Sequence, residues 1–412
     1  MKTRMLILTI ALILGSPSFA GAQTSLTLER AVQIYLDRNM DLQAARFRVE
    51  RTKADRIAAS LRPNPSITIA AENLAVGGPA GFNRLYEVST TYTETIERGG
   101  KRELRQRVAG LAVSVAEAQL SDTVRRGVAQ VKRLYYDVVL ARHDVETAAE
   151  NRQTFEQLLQ LNLARFREGA IPESDLIKVR LERIKFDSAV RQAELVLRQS
   201  TIRLLERLGE SNFEGRPVAG EFNFGVLNPD VQVLRLSAIS ERPDIQAAIR
   251  EVETAAERVA LQRALARADL NPFVGYKRLA ADSTVLFGVS MPLHIRDRNE
   301  GGIARAEAEL KTAQAQADLL RNRVAAEVQV AYEAFRTARQ QVQTFRNELL
   351  RQAGESRTIA LAAYEEGGTE LHPVLEAQRT LAGVQHEYFR ALFDYQVSLI
   401  DLELAVGREI QP

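Results

Sequence analysis

The side chains that most often carry chemistry are scarce and scattered in this chain. Its four histidines, His143, His294, His372 and His386, show no paired metal-ligand spacing, and each reads as a polar-face residue. His372 and His386 share one helical run but stand about four turns apart. The four methionines are Met1, Met5, Met40 and Met291, so there is no thioether ladder for a soft metal. Gly99-Gly100-Lys101-Arg102 invites a phosphate-loop reading but lacks the G-x-x-x-x-G-K-[ST] spacing. Nothing here forms a catalytic set, a cofactor cradle or a metal site. Charge and glycine concentrate instead at two turns. One holds Arg167, Gly169, Pro172, Glu173 and Asp175; the other holds Glu366, Gly367, Glu370 and His372. An exposed turn with a glycine escape and clustered charge suits protein docking and ion pairs that can be made and broken.

The elements that carry these turns are long. Residues 101–168 contain neither proline nor a turn cluster. Apolar positions such as Leu111, Val115, Val124, Val128, Val131 and Val138 recur there at three- and four-residue steps. At about 1.5 Å per residue the run is a rod on the order of 100 Å long. After the turn a second helix is expected over 175–208. The same pattern returns over 303–366 and 372–406. Helices this long need neighbours along their length, as in a coiled coil or a helical barrel.

The chain says much of this twice. Asp41-Leu42-Gln43-Ala44-Ala45 returns as Asp244-Ile245-Gln246-Ala247-Ala248, and Pro63-Asn64-Pro65 is echoed by Leu270-Asn271-Pro272. Gly99-Gly100 and Gly301-Gly302 each stand between a strand pair and a long helix, as strand-to-helix junctions. A half of roughly 200 residues is too long for a solenoid repeat. The expected organisation is a first repeat over 23–208, an inter-repeat equatorial segment over 209–240, and a second repeat over 241–412. Each repeat is a helix, a β-hairpin and two long helices.

The hairpins, expected over 66–97 and 273–291, decide the class. Ser66 to Leu74 reads as one strand, followed by the loop Gly77-Gly78-Pro79-Ala80-Gly81. In the next strand Tyr86, Val88, Thr90 and Tyr92 share one face, and Glu87, Ser89, Thr91 and Thr93 the other. Phe273 to Leu279 is expected to pair with Thr284 to Met291, where Val285, Phe287, Val289 and Met291 alternate with smaller residues. Apolar-out, polar-in strands with aromatics near their ends fit a transmembrane β-barrel. A small soluble hairpin capping a helical bundle would also fit the alternation. Four strands cannot close a barrel, which needs about eight, and open edges cannot face lipid. In a membrane, therefore, several copies must share one barrel. Three chains give twelve strands and twelve rods, a quasi-sixfold tube.

The N-terminus points to export. Lys2 and Arg4 precede an apolar run from Met5 to Leu14, with Pro17 and Ala20-Gly21-Ala22 behind it, the pattern of a signal peptide over 1–22. With no cysteine, a lipid anchor, disulfides and thiolate metal sites are all excluded. Charged residues make up 26% of the chain, yet the net charge is +2. The signs are mixed along helices, which argues against a nucleic-acid partner.

The residues resemble the TolC family of outer membrane efflux proteins over essentially the whole mature sequence. Thr95-Ile96-Glu97-Arg98-Gly99-Gly100-Lys101-Arg102, Glu241-Arg242-Pro243-Asp244, Gly288-Val289-Ser290-Met291-Pro292-Leu293 and Asp297-Arg298-Asn299-Glu300-Gly301-Gly302-Ile303-Ala304 carry the likeness. The Gly-Gly-Lys-Arg and Asp-Arg-Asn segments are similar to the heavy-metal (cobalt-zinc-cadmium type) branch. The resemblance implies a homotrimer: a mainly α fold with a 12-stranded outer-membrane β-barrel joined to a long periplasmic α-helical barrel. It implies contact with outer membrane lipid, a periplasmic adaptor (membrane fusion protein) and a proton-driven inner-membrane efflux pump. The two charged turns would then be the adaptor-docking tips and the periplasmic entrance. One departure stands out. Family members often carry an Asp-Val-Leu step after the second turn, where this chain has Pro373-Val374-Leu375; the acid survives only in Ser174-Asp175-Leu176-Ile177. The expected function is a passive exit duct of the Gram-negative outer membrane, with divalent heavy-metal cations or drugs and other small molecules as cargo. The rival is a soluble periplasmic coiled-coil adaptor.

Overall fold

Alanine, leucine, arginine and glutamate make up nearly half of the chain outside two short β-branched stretches, and such residues favour helix. The computed structural model describes residues 25–74, 86–212, 217–225, 227–279 and 281–410. The signal peptide read at 1–22 and the glycine loop at 77–81 lie outside these residues. The first half runs α1 (Leu28–Arg38), α2 (Met40–Ser60), β1 (Ser66–Glu72), β2 (Glu87–Thr93), α3 (Lys101–Arg167) and α4 (Glu173–Arg207). The second runs α5 (Val231–Glu241), α6 (Pro243–Leu265), β3 (Asn271–Leu279), β4 (Asp282–Ser290) and α7 (Glu300–Thr344). A π turn (Phe345–Leu349), α8 (Leu350–Glu365) and α9 (Leu371–Val406) complete it.

Several boundaries differ from the sequence reading. α5 matches α1 in length, and each meets its next helix through one cap residue, Asn39 or Arg242. The second repeat therefore reaches back to Val231, inside the segment read as inter-repeat. The first strand stops at Glu72 because Asn73 is left-handed, with φ 57°. The second hairpin is longer than expected and its last strand ends before Met291. The run 303–366 is not one α-helix. The π turn places one extra residue about two-thirds of the way along it and rotates everything beyond by about 100°. Periodicity could not show this, because Gln340-Gln341 and Arg346-Asn347-Glu348 leave the apolar stripe thin there.

All four strands pair antiparallel in the order β1-β2-β3-β4, leaving β1 and β4 as free edges. The register puts Ile67, Ile69, Val88, Tyr92, Val274, Tyr276, Val285, Phe287 and Val289 on one face. All nine are exposed, Phe287 at 86%. The opposite face carries Thr68, Glu72, Glu87, Ser89, Thr91, Lys277, Thr284 and Asp282, with Glu87 and Lys277 ion-paired. One face is apolar except for Arg278, Thr90 and Ser283, the other is mainly polar, and among the described residues no helix packs broadly on either, which is the surface pattern of a barrel wall.

The helices bury three separate apolar clusters. One joins α1, α3 and α4 around Tyr35, Val131 and Leu204, a second joins α5, α7 and α9 around Phe335 and Tyr395, and the third lies at the far turns. Helix α3 packs on both halves and ties them together. Arg242, 3% exposed, locks the middle. It bridges Asp244 at 2.7 Å and Glu327 at 2.8 Å and donates to the Ala405 carbonyl at 2.9 Å, capping the end of α9.

Candidate functional site

The two charged turns are built alike. Each long helix ends in a left-handed glycine, Gly169 at φ 71° and Gly367 at φ 78°. The Ala170 and Gly368 amides, one residue beyond each glycine, reach back to the Arg165 and Ala363 carbonyls at 2.9 and 2.7 Å. The Gly169 and Gly367 amides donate to the Phe166 and Tyr364 carbonyls at 3.0 and 3.1 Å. These are paired Schellman caps, which glycine forms without a Cβ clash. Pro172 precedes the first residue of α4, where its missing amide costs nothing.

The structure brings the turns side by side. Arg165 donates to the Tyr364 and Glu365 carbonyls at 2.8 and 3.0 Å and lies over the Tyr364 ring, 4.4 Å from its centroid. Tyr364 Oη donates to Asn162 Oδ1 at 2.7 Å, deep in a cluster that includes Phe155, Leu158, Leu176 and Leu371. Farther along, Gln378 donates to Asn151 at 3.0 Å and Arg379 bridges Glu182 at 2.6 Å. Burial alone would raise the Glu182 carboxyl. Hydrogen bonds from Lys185 and Arg379 outweigh burial and hold it below the usual carboxylate range. The α3–α4 and α8–α9 hairpins are thus latched by a short row of polar contacts inside an apolar seam.

Sequence reasoning missed Asn151, Asn162, Arg165, Tyr364 and Gln378. The available signal was polar residues on the apolar stripe, Asn162 next to Leu158 and Leu159 above all. The residues it chose lie at the turns but outside the latch. Arg167, Gly169, Pro172, Glu173, Glu366, Gly367, Glu370 and His372 are exposed, and Asp175 is half-buried and paired with Lys178 at 2.9 Å. Among the described residues, Arg167, Glu173, Glu366, Glu370 and His372 make no ion pair within the chain. They are free to meet another molecule.

At the other end, Gly100 caps α3 in the left-handed region, and Lys101 behind it is buried against Asp269 at 2.7 Å. The second junction differs from the reading. Gly301 and Gly302 fall inside the first turn of α7, and the left-handed cap is Asn299, φ 61°. A Cβ at Gly302 would crowd the side-chain oxygens of Asn299 and Gln262, both at the ends of flexible side chains that can move aside. His372 and His386 are exposed on α9 as the polar-face reading expects, but His143 departs from it. His143 is buried and stacks on Phe389 with centroids 4.4 Å apart. Among the described residues no cluster of histidine and carboxylate could hold a metal ion.

Similarity to known proteins agrees with this anatomy. The family model described as outer membrane efflux protein matches residues 31–210 and 234–408. The cobalt-zinc-cadmium resistance protein CzcC of Cupriavidus metallidurans is 25% identical over 99% of this chain and 100% of its own. Among solved structures, CusC superposes with a TM-score of 0.79 at 16% identity, covering 93% of each chain. The Campylobacter jejuni outer membrane channel CmeC superposes with a TM-score of 0.78 at 16% identity, covering 92% of this chain and 85% of its own.

Proposed function

We propose a function on one premise: the chain belongs to the outer membrane efflux protein family. It is an outer-membrane efflux channel, the exit duct through which cargo leaves the cell envelope. The finer reading concerns its assembly, its gate and its cargo.

The assembly we propose is a homotrimer, and the free sheet edges support it. β1 and β4 each present unpaired backbone, which lipid does not tolerate. The repeat supplies the joint. β2 and β3 link the halves inside the chain, with Tyr92 opposite Val274 and Thr91 opposite Gly275. Matching the hairpins through their internal registers, Ile67 opposite Tyr92 and Val274 opposite Phe287, carries this pairing to the edges, with Phe287 opposite Ile67 and Leu286 opposite Thr68 of the next copy. Phe287 and Ile67 then stay on the apolar face and Thr68 on the wet one. The pairing is self-consistent and closes at about twelve strands.

The gate is the pair of latched turns. Their exposed charges, Arg167, Glu173, Glu366, Glu370 and His372, suit docking of a periplasmic adaptor, with a proton-driven inner-membrane pump loading the duct behind it. Opening would break the Tyr364–Asn162 and Arg165–Tyr364 contacts. Transport through such a duct is passive, and no bond is made or broken. The cargo we propose is divalent heavy-metal cations, and the full-length likeness to a cobalt-zinc-cadmium resistance protein carries that choice. Deleting the gene should sensitise cells to cobalt, zinc and cadmium, scored as minimum inhibitory concentrations and restored by a plasmid copy. Sensitivity confined to drugs would reassign the cargo, and no sensitivity at all would count against the efflux role.

A further inference from the structure

The two halves begin their long helices from the same left-handed cap but with opposite charge, Glu300 lying thirteen residues past Phe287 where Lys101 lies nine past the matching Tyr92. Inside the chain, α3 starts from left-handed Gly100, and its first residue, Lys101, pairs with Asp269 two positions before Asn271. Lys101 is 5% exposed, and Asp269 Oδ1 also accepts the Arg98 amide at 2.9 Å. Helix α7 starts from left-handed Asn299, with φ 61° and ψ 28° against 71° and 24° at Gly100. Its first residue is Glu300. The position matching Asp269, two before Asn64, is Arg62. Both members have changed sign.

Arg62 and Glu300 are exposed in the single chain, and among the described residues neither has an ion-pair partner. They sit at opposite margins of the sheet, Arg62 just before edge strand β1 and Glu300 beyond edge strand β4. From this juxtaposition we infer that Glu300 pairs with Arg62 of the partner subunit, a reversed-charge copy of the Lys101–Asp269 joint. The inference rests on the trimer reading above, since only ring closure brings the two margins together. Backbone chemistry gives the pair a task. Leu270 and Ile96 exchange two backbone hydrogen bonds at 2.7 and 3.1 Å beside the internal joint. The residue matching Leu270 is Pro63, which has no amide to donate, so the seam between copies has one backbone bond fewer.

The reversal also selects partners. An exchange of halves between copies, with the internal β2–β3 pairing given up, would set Lys101 against Arg62, or Glu300 against Asp269. Like charges at a partly buried joint oppose association and discriminate against the wrong register. The junctions around the ring therefore alternate in polarity, and only the correct order matches every one.

The chain has no cysteine, which makes the test clean. The double variant R62C/E300C, treated in outer-membrane vesicles with a short bis-maleimide, should give covalent trimer as the main species on a denaturing gel. Either single variant should give monomer. The pair T68C/L286C, on the wet face of the proposed strand seam, reports ring closure independently of the ion pair. Covalent trimer from T68C/L286C with monomer from R62C/E300C would refute the pairing and leave the trimer standing. Monomer from both, in a protein that is monomeric by native mass measurement, would instead refute the trimer. As a second arm, R62E and E300R should each lower the fraction of gel-stable trimer, and R62E/E300R should restore it. Failure of the double reversal to recover either single loss would also count against the pair.

Discussion

At the scale of single residues, the turns divide labour between charge and backbone. Gly169 and Gly367 have open space where a Cβ would go, so only their positive φ forbids a side chain. A non-glycine residue in that region costs roughly 1–2 kcal/mol, and β-branching makes it worse. That cost falls on the shape of the tip and leaves the sheet and the middle of the rods untouched. Gly169→Val and Gly367→Val should therefore lower efflux, measured as metal accumulation in loaded cells, while gel-stable trimer forms normally. Normal efflux from both variants would remove the tips from the mechanism. The latch beside them tolerates mild acid. Because the Glu182 carboxyl is held low, its contribution is present above its unfolded pKa of about 4 and is lost as pH falls through the lower folded value.

At the scale of elements, periodicity exposed what was long and regular and hid what was local. The rods could be read because apolar residues recur at three- and four-residue steps over many turns. The hairpins could be read because Val285, Phe287 and Val289 alternate strictly. The π turn, the left-handed Asn299 and the latch around Tyr364 each depend on one or two side chains meeting residues far away in the sequence, and no local pattern announces such a meeting. The Lys101–Asp269 pair is another instance, hidden in a segment that read as a glycine turn. It ties the first residue of α3 to the segment just before β3. Burial would raise the Asp269 carboxyl, but hydrogen bonds from Lys101 and the Arg98 amide outweigh it and hold the group below its usual range. Its stabilisation is thus full at neutral pH and fades only in strong acid. Lys101→Met leaves that carboxylate beside a dry neighbour. It should destabilise the fold by about 3 kcal/mol, the low end for a broken buried pair because Asp269 is partly exposed. Thermal melting in detergent at neutral pH measures this, and K101M/D269N should recover part of the loss. An unchanged midpoint in K101M would show that the junction is held by the backbone alone.

At the scale of the whole molecule, the apolar sheet face is the strongest constraint on where the protein lives. Phe287, Val285, Ile69 and Ile67 are all about two-thirds exposed or more, on a chain whose described helices include none long and apolar enough to cross a membrane. In water such a face would aggregate; against acyl chains it is at home. The two faces of the sheet must then respond oppositely to charge. Phe287→Arg places a cation on the lipid side, where the cost is about 2–4 kcal/mol at mid-depth and is incurred in every copy of a trimer. Thr68→Arg places the same cation on the wet side, where water solvates it. Phe287→Arg should sharply reduce the protein recovered in detergent-extracted outer membranes, and Thr68→Arg should leave recovery close to that of the parent. Recovery is scored by immunoblot of fractionated membranes, with urea-extractable material counted as not inserted. Equal recovery of the two variants would mean that neither face meets lipid, and a soluble hairpin on a helical rod would then be the better description of the sheet.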